Sequence, residues 1–231
     1  MTIHPSVSGL LLINKPKGKT SFYLVSVLRK IYQIKKIGHA GTLDPFATGV
    51  MIYLVGRSMT KLSDHFLCQD KEYEALLHLG IETDTFDCEG EQTPLSNRVP
   101  TLEEIKQCID HFQGEMMQTP PMYSAKKVGG KKLYELARKG ITIEREAKPI
   151  TIKTTLLSYE YPFVKIHVSC SKGTYLRSIA YDMGKHLGVG AHLTELTRTR
   201  CGPFHLHECI DGSSLSIHNP PALIPCCLEK K

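Results

Sequence analysis

Residues 38–49 of this 231-residue chain read GHAGTLDPFATG, and no other segment constrains the fold as tightly. One carboxylate, Asp44, stands in a run of Gly, Pro, Thr and His, and the apolar stretch Val50 to Val55 follows directly. Gly38, Gly41 and Gly49 permit close approach of another backbone or a ligand. Pro45 steers Asp44 away from helical backbone angles. The segment therefore reads as a loop that presents one acid from the edge of a buried strand. An isolated Asp-Pro would read as an ordinary turn whose Asp caps its own backbone. The length of the pattern sets this one apart.

The flanking patterns predict strands and helices in irregular order. Gly9 to Ile13 reads as a short buried strand. Thr20 or Ser21 caps a helix running to about Tyr32, with Leu24, Val27, Leu28 and Ile31 on one face. Val50 to Val55 is expected as a central strand. Tyr73, Ala75, Leu77 and Leu79 alternate with Glu74, Leu76 and His78, which predicts another. Thr101 and Glu104 form a capping box for a helix carrying Leu102, Ile105, Ile109 and Phe112, which Gly114 can end. Thr119 to Gly130 reads as a mobile loop, and Lys131 to Lys139 as a short basic helix closed by Gly140. Ile150 to Tyr159 and Phe163 to Cys170 read as a strand pair joined near Tyr161-Pro162. Gly173 to Leu187 reads as a helix with Leu176, Ile179, Ala180 and Met183 inward. Strands and helices mix without a regular βαβ alternation, so the predicted class is α+β.

Length allows one large domain or two small ones. A hydrophobic fraction of 41% with 23% charged residues fits a soluble globular protein. The apolar runs are too short to span a bilayer, and the N-terminus has no secretory pattern. Eight cysteines are scattered, apart from the pair Cys226 and Cys227, and none has CxxC spacing. That argues against a zinc site or a redox motif and for a reduced, cytoplasmic setting. The net charge of +6 is uneven: Lys126, Lys127, Lys131, Lys132, Arg138 and Lys139 oppose only Glu135. Such density suits a polyphosphate backbone. By itself it would read as a solvated helix face.

The signature closely resembles that of the bacterial tRNA pseudouridine synthases of the TruB family. Four more blocks match in the same order: KPKGKTS, KEYEALLHLGIETDTFDCEG, PPMYSAKKVGGKKLYELARKG and CSKGTYLRSIAYDMG. A weaker one, LTELTRTRCGPF, comes last, so the likeness spans residues from about 9 to about 215. The resemblance implies the pseudouridine synthase fold, a mixed, mostly antiparallel sheet flanked by helices and RNA-binding loops. It implies a single catalytic domain over 1–231 with an RNA-binding insertion at about 119–145. It implies isomerisation of uridine 55 in the tRNA T-loop, with tRNA as partner, no cofactor and no metal. The expectation is a monomer with no obligatory protein partner and no membrane contact.

Residue by residue, the resemblance makes Asp44 the nucleophile. A carboxylate in a water-poor pocket needs a cation as counterweight, because desolvation favours its neutral form. Arg177 matches the family arginine that pairs with the aspartate, and a bidentate guanidinium would orient it. Tyr73 matches the tyrosine that packs on the target base and is a candidate for removing the carbon-bound proton. Leu196 matches an apolar pocket wall, with Tyr175 in support. His39 is expected at the pocket mouth, filling the space a flipped uridine vacates. The basic element from Met122 to Lys139, including Lys126, Lys131 and Lys132, matches the family's RNA-gripping insertion. Lys15 and Lys17, and also Lys172, are expected to add phosphate contacts.

Departures from the family pattern carry their own expectations. Many relatives continue into a C-terminal RNA-binding module of the PUA type, for which this sequence leaves no room before Lys231. Ala40 replaces a common Thr. Phe22 and Tyr23 follow KTS where relatives often carry polar residues, which implies an altered local RNA contact. Two other readings compete: an RNA-binding protein or tRNA folding chaperone with incidental catalysis, and a guide-RNA-dependent relative. The set Asp44, Tyr73 and Arg177 speaks against the first as a purely non-catalytic module. The missing C-terminal module disfavours the second.

Overall fold

The computed structural model describes residues 8–225. The Cys226-Cys227 pair lies outside them. In chain order the elements are β1 (Gly9–Lys15), α1 (Ser21–Tyr32), β2 (Ile37–Ala40), β3 (Thr48–Val55), α2 (Arg57–Thr60), α3 (Ser63–Leu67), β4 (Lys71–Leu79), β5 (Ile81–Thr83) and β6 (Gln92–Pro94). There follow α4 (Leu102–His111), β7 (Gly114–Gln118), β8 (Lys127–Val128), β9 (Lys131–Lys132), α5 (Leu133–Ala137), β10 (Lys148–Glu160), β11 (Phe163–Cys170), α6 (Leu176–Leu187), β12 (Ala191–Cys201), β13 (Phe204–His205) and β14 (Ile210–Asp211). The α+β class holds. No helix of the described residues is long and apolar enough to cross a membrane.

The described residues form two compact units, one made of residues 8–72 with 197–225, the other of Tyr73–Leu196. The chain passes from one unit to the other within the residue ranges of β4 and β12.

In the first unit β3 is the central strand. It pairs antiparallel with β1 along its whole length, from Gly9 opposite Val55 to Lys15 opposite Gly49. On its other edge β2 pairs with the second half, Ala40 opposite Ile52. The first half pairs parallel with β12, Thr197 opposite Thr48 and Arg198 opposite Gly49. The connection Gly41–Ala47 therefore leaves the sheet where β12 takes over the edge from β2. Every residue from Val50 to Val55 is fully buried, as a strand apolar on both faces requires. Thr20 caps α1 by accepting from the Tyr23 amide at 3.0 Å. The buried stripe is Leu24, Val25, Leu28 and Ile31, with Val27 only half-buried.

In the second unit β4, β11, β10 and β7 lie in that order, with β10 antiparallel to both of its neighbours. The alternation predicted from Tyr73 to Leu79 is met residue by residue, and β4 continues it back to Lys71. The capping box at Thr101 and Glu104 is formed. Leu102 departs from expectation: it is 48% exposed, and burial begins one turn later at Ile105, continuing through Cys108 and Ile109. The helix ends at His111, and Gly114, at φ +75°, opens β7 instead of closing the helix. On α6 the four predicted residues are all buried.

The basic segment is organised differently from the prediction. Lys131 and Lys132 are not helical: they form β9, paired with β8 across a two-residue turn at Gly129 and Gly130. Both glycines have positive φ, 57° and 81°, which is the backbone a tight hairpin needs. Only Leu133–Ala137 is helical, and Gly140 follows it at φ +71°.

Candidate active site

Asp44 sits half-buried in the Gly41–Ala47 connection, and its neighbours on both sides are fixed. Leu43 exchanges two hydrogen bonds with the buried Ser21 hydroxyl. Its amide donates to Oγ at 3.0 Å, and its carbonyl accepts from Oγ at 3.1 Å. The Pro45 carbonyl accepts from the Gly18 amide at 2.8 Å and from the Lys15 ammonium at 3.1 Å. The Asp44 carbonyl itself accepts from the Ala47 amide at 3.2 Å, closing a turn. Asn14 Oδ1 accepts from the Gly49 amide at 3.1 Å. Gly49 stands at φ +109°, and a Cβ there would collide with the backbone of Arg198. The KPKGKTS block thus acts as a brace for the signature loop.

Lys15 is a correction to the sequence reading. It has no exposed surface, and its ammonium donates to the carbonyls of Pro16, Lys19 and Pro45 at 2.7–3.1 Å. A group so enclosed holds the loop and cannot reach a phosphate. Lys17 is exposed.

Arg198 is a second buried cation beside the same loop, 1% exposed. Nε donates to the Val50 carbonyl at 2.7 Å and Nη2 to that of Gly41 at 3.1 Å, and no carboxylate pairs with it among the described residues. Burial, and after it the charge of Arg198, holds the His39 imidazole below its usual pKa. His39 lies half-buried on β2, edge-on to Tyr53 with centroids 6.2 Å apart, and its Nδ1 is enclosed without a hydrogen-bond partner. The Tyr53 phenol is pushed upward by burial and donates to the Ser21 carbonyl at 3.1 Å.

In the second unit Arg177 is buried, which the apolar neighbours Leu176 and Ile179 foreshadow. Its guanidinium meets the Asp87 carboxylate at 3.3 Å and donates to the carbonyls of Thr85 at 2.9 Å and Tyr123 at 2.7 Å. Asp87 is fixed in turn, accepting from the Thr85 hydroxyl at 2.7 Å and the Glu89 amide at 3.0 Å. The backbone of Tyr175, just before α6, is held by the buried Gln118 amide, which donates at 3.1 Å and accepts at 2.8 Å. Tyr73 and Leu196 are both 6% exposed. The structure thus brings Arg177 to Asp87, and it fixes Asp44 and Arg177 each within its own unit.

The basic element is open to solvent. Lys131 is exposed and Lys126 and Lys132 half-buried, while Lys172 stands exposed on the turn before α6. Lys132 touches Glu135 at 3.7 Å and the Tyr134 hydroxyl at 3.1 Å. Arg138 also lies over the Tyr134 ring, 5.4 Å from its centroid. Leu133, with no exposed surface, anchors the element.

Ser21, Asn14, Arg198, Asp87 and Gln118 were not singled out from the sequence as site residues. Arg198 had a signal, since strand periodicity from Leu196 puts it on a buried face. Asp87 had none beyond its place in the DTFDCEG run.

Comparison with known proteins matches this chain to a family. The model described as TruB family pseudouridylate synthase (N terminal domain) matches residues 29–176. The one described as tRNA pseudouridylate synthase B C-terminal domain matches residues 177–217. The tRNA pseudouridine synthase B of Protochlamydia amoebophila (strain UWE25) is 61% identical over 209 residues, covering 90% of this chain and 80% of that protein. The protein of the same name from Chlamydia trachomatis serovar L2 is 55% identical, covering 91% and 87%. A solved chain from a Cbf5-Nop10-Gar1 complex is 31% identical with a TM-score of 0.69, covering 88% of this chain and 52% of its own. The chain therefore spans about half the length of that solved protein. With the signature loop inside the first match and Arg177 opening the second, this chain belongs to the TruB family of pseudouridylate synthases.

Proposed function

We propose that this chain converts uridine 55 in the T-loop of tRNA to pseudouridine, with Asp44 as nucleophile. The observation that carries the reading is the bracing of Asp44 from both sides by Ser21 and Lys15. A carboxylate carried on a backbone so held loses less freedom on meeting substrate, and that is what a nucleophile in a small site needs.

In this reading the target uridine leaves its stack to reach Asp44. Asp44 supplies the electron pair that drives departure of the uracil. Carbon 5 of the ring then bonds to the ribose carbon that N1 has left. One proton leaves C5 and one is gained at N1, so atoms balance without oxidant or reductant, and no cofactor or metal is required. Arg177 pairs with Asp44 as well as with Asp87 and keeps it charged. Its burial and its two carbonyl anchors support that role, because a guanidinium so held is oriented in advance. Tyr73 stacks on the base and accepts the C5 proton. Leu196 and Tyr175 wall the pocket, and His39, kept neutral, fills the space the base has left. Lys126, Lys131, Lys132 and Lys172 bind phosphates of the T-arm. The protein acts as a monomer on free tRNA in the cytoplasm.

Purified protein incubated with unmodified tRNA, followed by mapping of pseudouridine by position, tests the proposal. One product in the T-loop is expected. Product at other positions only, or none, overturns it.

A further inference from the structure

Asp44 is the first acidic residue of the chain, and seven Lys and Arg precede it. Five of them, Lys17, Lys19, Lys30, Lys35 and Lys36, are exposed, and none of these five makes an ion pair among the described residues. Two large aromatic side chains stand on the same surface, at the first turn of α1. Phe22 is 59% and Tyr23 46% exposed. Each carries a cation near its ring: the Arg29 guanidinium 5.5 Å from the Phe22 centroid and the Lys19 ammonium 4.9 Å from that of Tyr23. Adjacent exposed aromatics of this size have no role in the core. Aromatic faces set among unpaired cations match unpaired nucleotides, which offer a π-face and a phosphate together.

The position of this surface is fixed. Ser21, next to Phe22, is bonded to Leu43, next to Asp44. Gly18, next to Lys19, is bonded to Pro45. We propose that Phe22 and Tyr23 form a stacking platform for unpaired bases next to the uridine that enters the site, with Lys17 and Lys19 on the adjoining phosphates. This deepens the pseudouridylation reading and rests on it for the identity of the RNA.

The chain contains no Trp, so Phe22→Trp introduces a single indole. Titration of that variant with an unmodified T-arm stem-loop is expected to quench the indole. The same stem-loop with abasic loop positions, and inorganic polyphosphate, are expected to bind without quenching. The double variant Phe22→Ser/Tyr23→Ser should bind the stem-loop roughly tenfold more weakly, the loss of about one stacked base. It should bind a fully paired RNA of equal length unchanged, with an unaltered melting temperature showing that the fold is kept. An indole untouched by the stem-loop, or equal affinity in the double variant, overturns the platform. So does an indole signal that follows protein concentration instead of RNA, which would mark the face as a contact between copies of the chain. The readouts are of binding, so the two readings separate. Quenching without pseudouridine in the T-loop keeps the platform and removes the reaction, and turnover without quenching does the reverse.

Discussion

Two segments of this protein share a composition and use it in opposite ways. The brace and signature loop of the first unit, residues 15–19 and 41–49, are rich in Lys, Gly and Pro, and so is the segment 119–140 of the second. In the first, Lys15 is fully enclosed and donates to three backbone carbonyls, while Lys17 and Lys19 beside it stand exposed. In the second, lysines stand on a small hairpin whose glycines face open space, with Leu133 as its buried anchor. Ammonium groups inside a loop fix backbone and lose their value to a ligand. Ammonium groups on a hairpin keep that value and fix little. Composition cannot separate the two uses, whereas burial does.

The largest effect that sharpens this contrast is at the carboxylate. Asp44→Asn should lower pseudouridine formation by ~1000-fold or more while tRNA affinity stays within about twofold. Single-turnover assays beside filter binding read both. Lys15→Met breaks the brace directly. It removes a donor from three carbonyls, of which that of Pro45 keeps the Gly18 amide, and should cost about 2–4 kcal/mol in denaturant unfolding. Neutralising Lys131 and Lys132 together should leave unfolding within about 0.5 kcal/mol of the parent. It should reduce the slope of log affinity against log salt by about 1–2. An equal loss of stability from both sets of lysines would erase the distinction.

The smallest effect is one of pH. His39 has a folded-state pKa lowered by burial and by Arg198, so the unfolded chain takes up a proton there before the folded one does. Stability should therefore fall as pH drops through the ordinary histidine range and stay flat above it. His39→Gln should weaken that acid sensitivity, measured as the difference in unfolding free energy between neutral and mildly acid buffer. His78, lowered by burial and by His192, titrates in the same direction and remains as background.

Much of this was legible in the sequence, for reasons that differ by element. β3 and β4 declare themselves, one by an unbroken apolar run and the other by strict alternation. The capping box of α4 is a local signal and needs no tertiary knowledge. The hairpin at 127–132 was missed because lysine favours helix on average, while the Gly-Gly pair that decides the matter was read as part of a loop. Leu102 failed because periodicity says which face is apolar and not where the covering layer ends. Asp44 and Arg177 were reached through the resemblance, and nothing in their spacing links them. Asp87 and Arg198 are long-range partners, and a contact between residues over 80 positions apart leaves no local trace.

The double hydrogen bond between Ser21 and Leu43 has a consequence for dynamics. Loop amides commonly exchange with solvent through small local openings. The Leu43 amide is released by turning a buried Ser21 hydroxyl away or by freeing the first turn of a helix tied to the central strand through Tyr53. It should accordingly exchange more slowly than such loop amides do, and the reactive turn shares the stiffness of the framework beneath it.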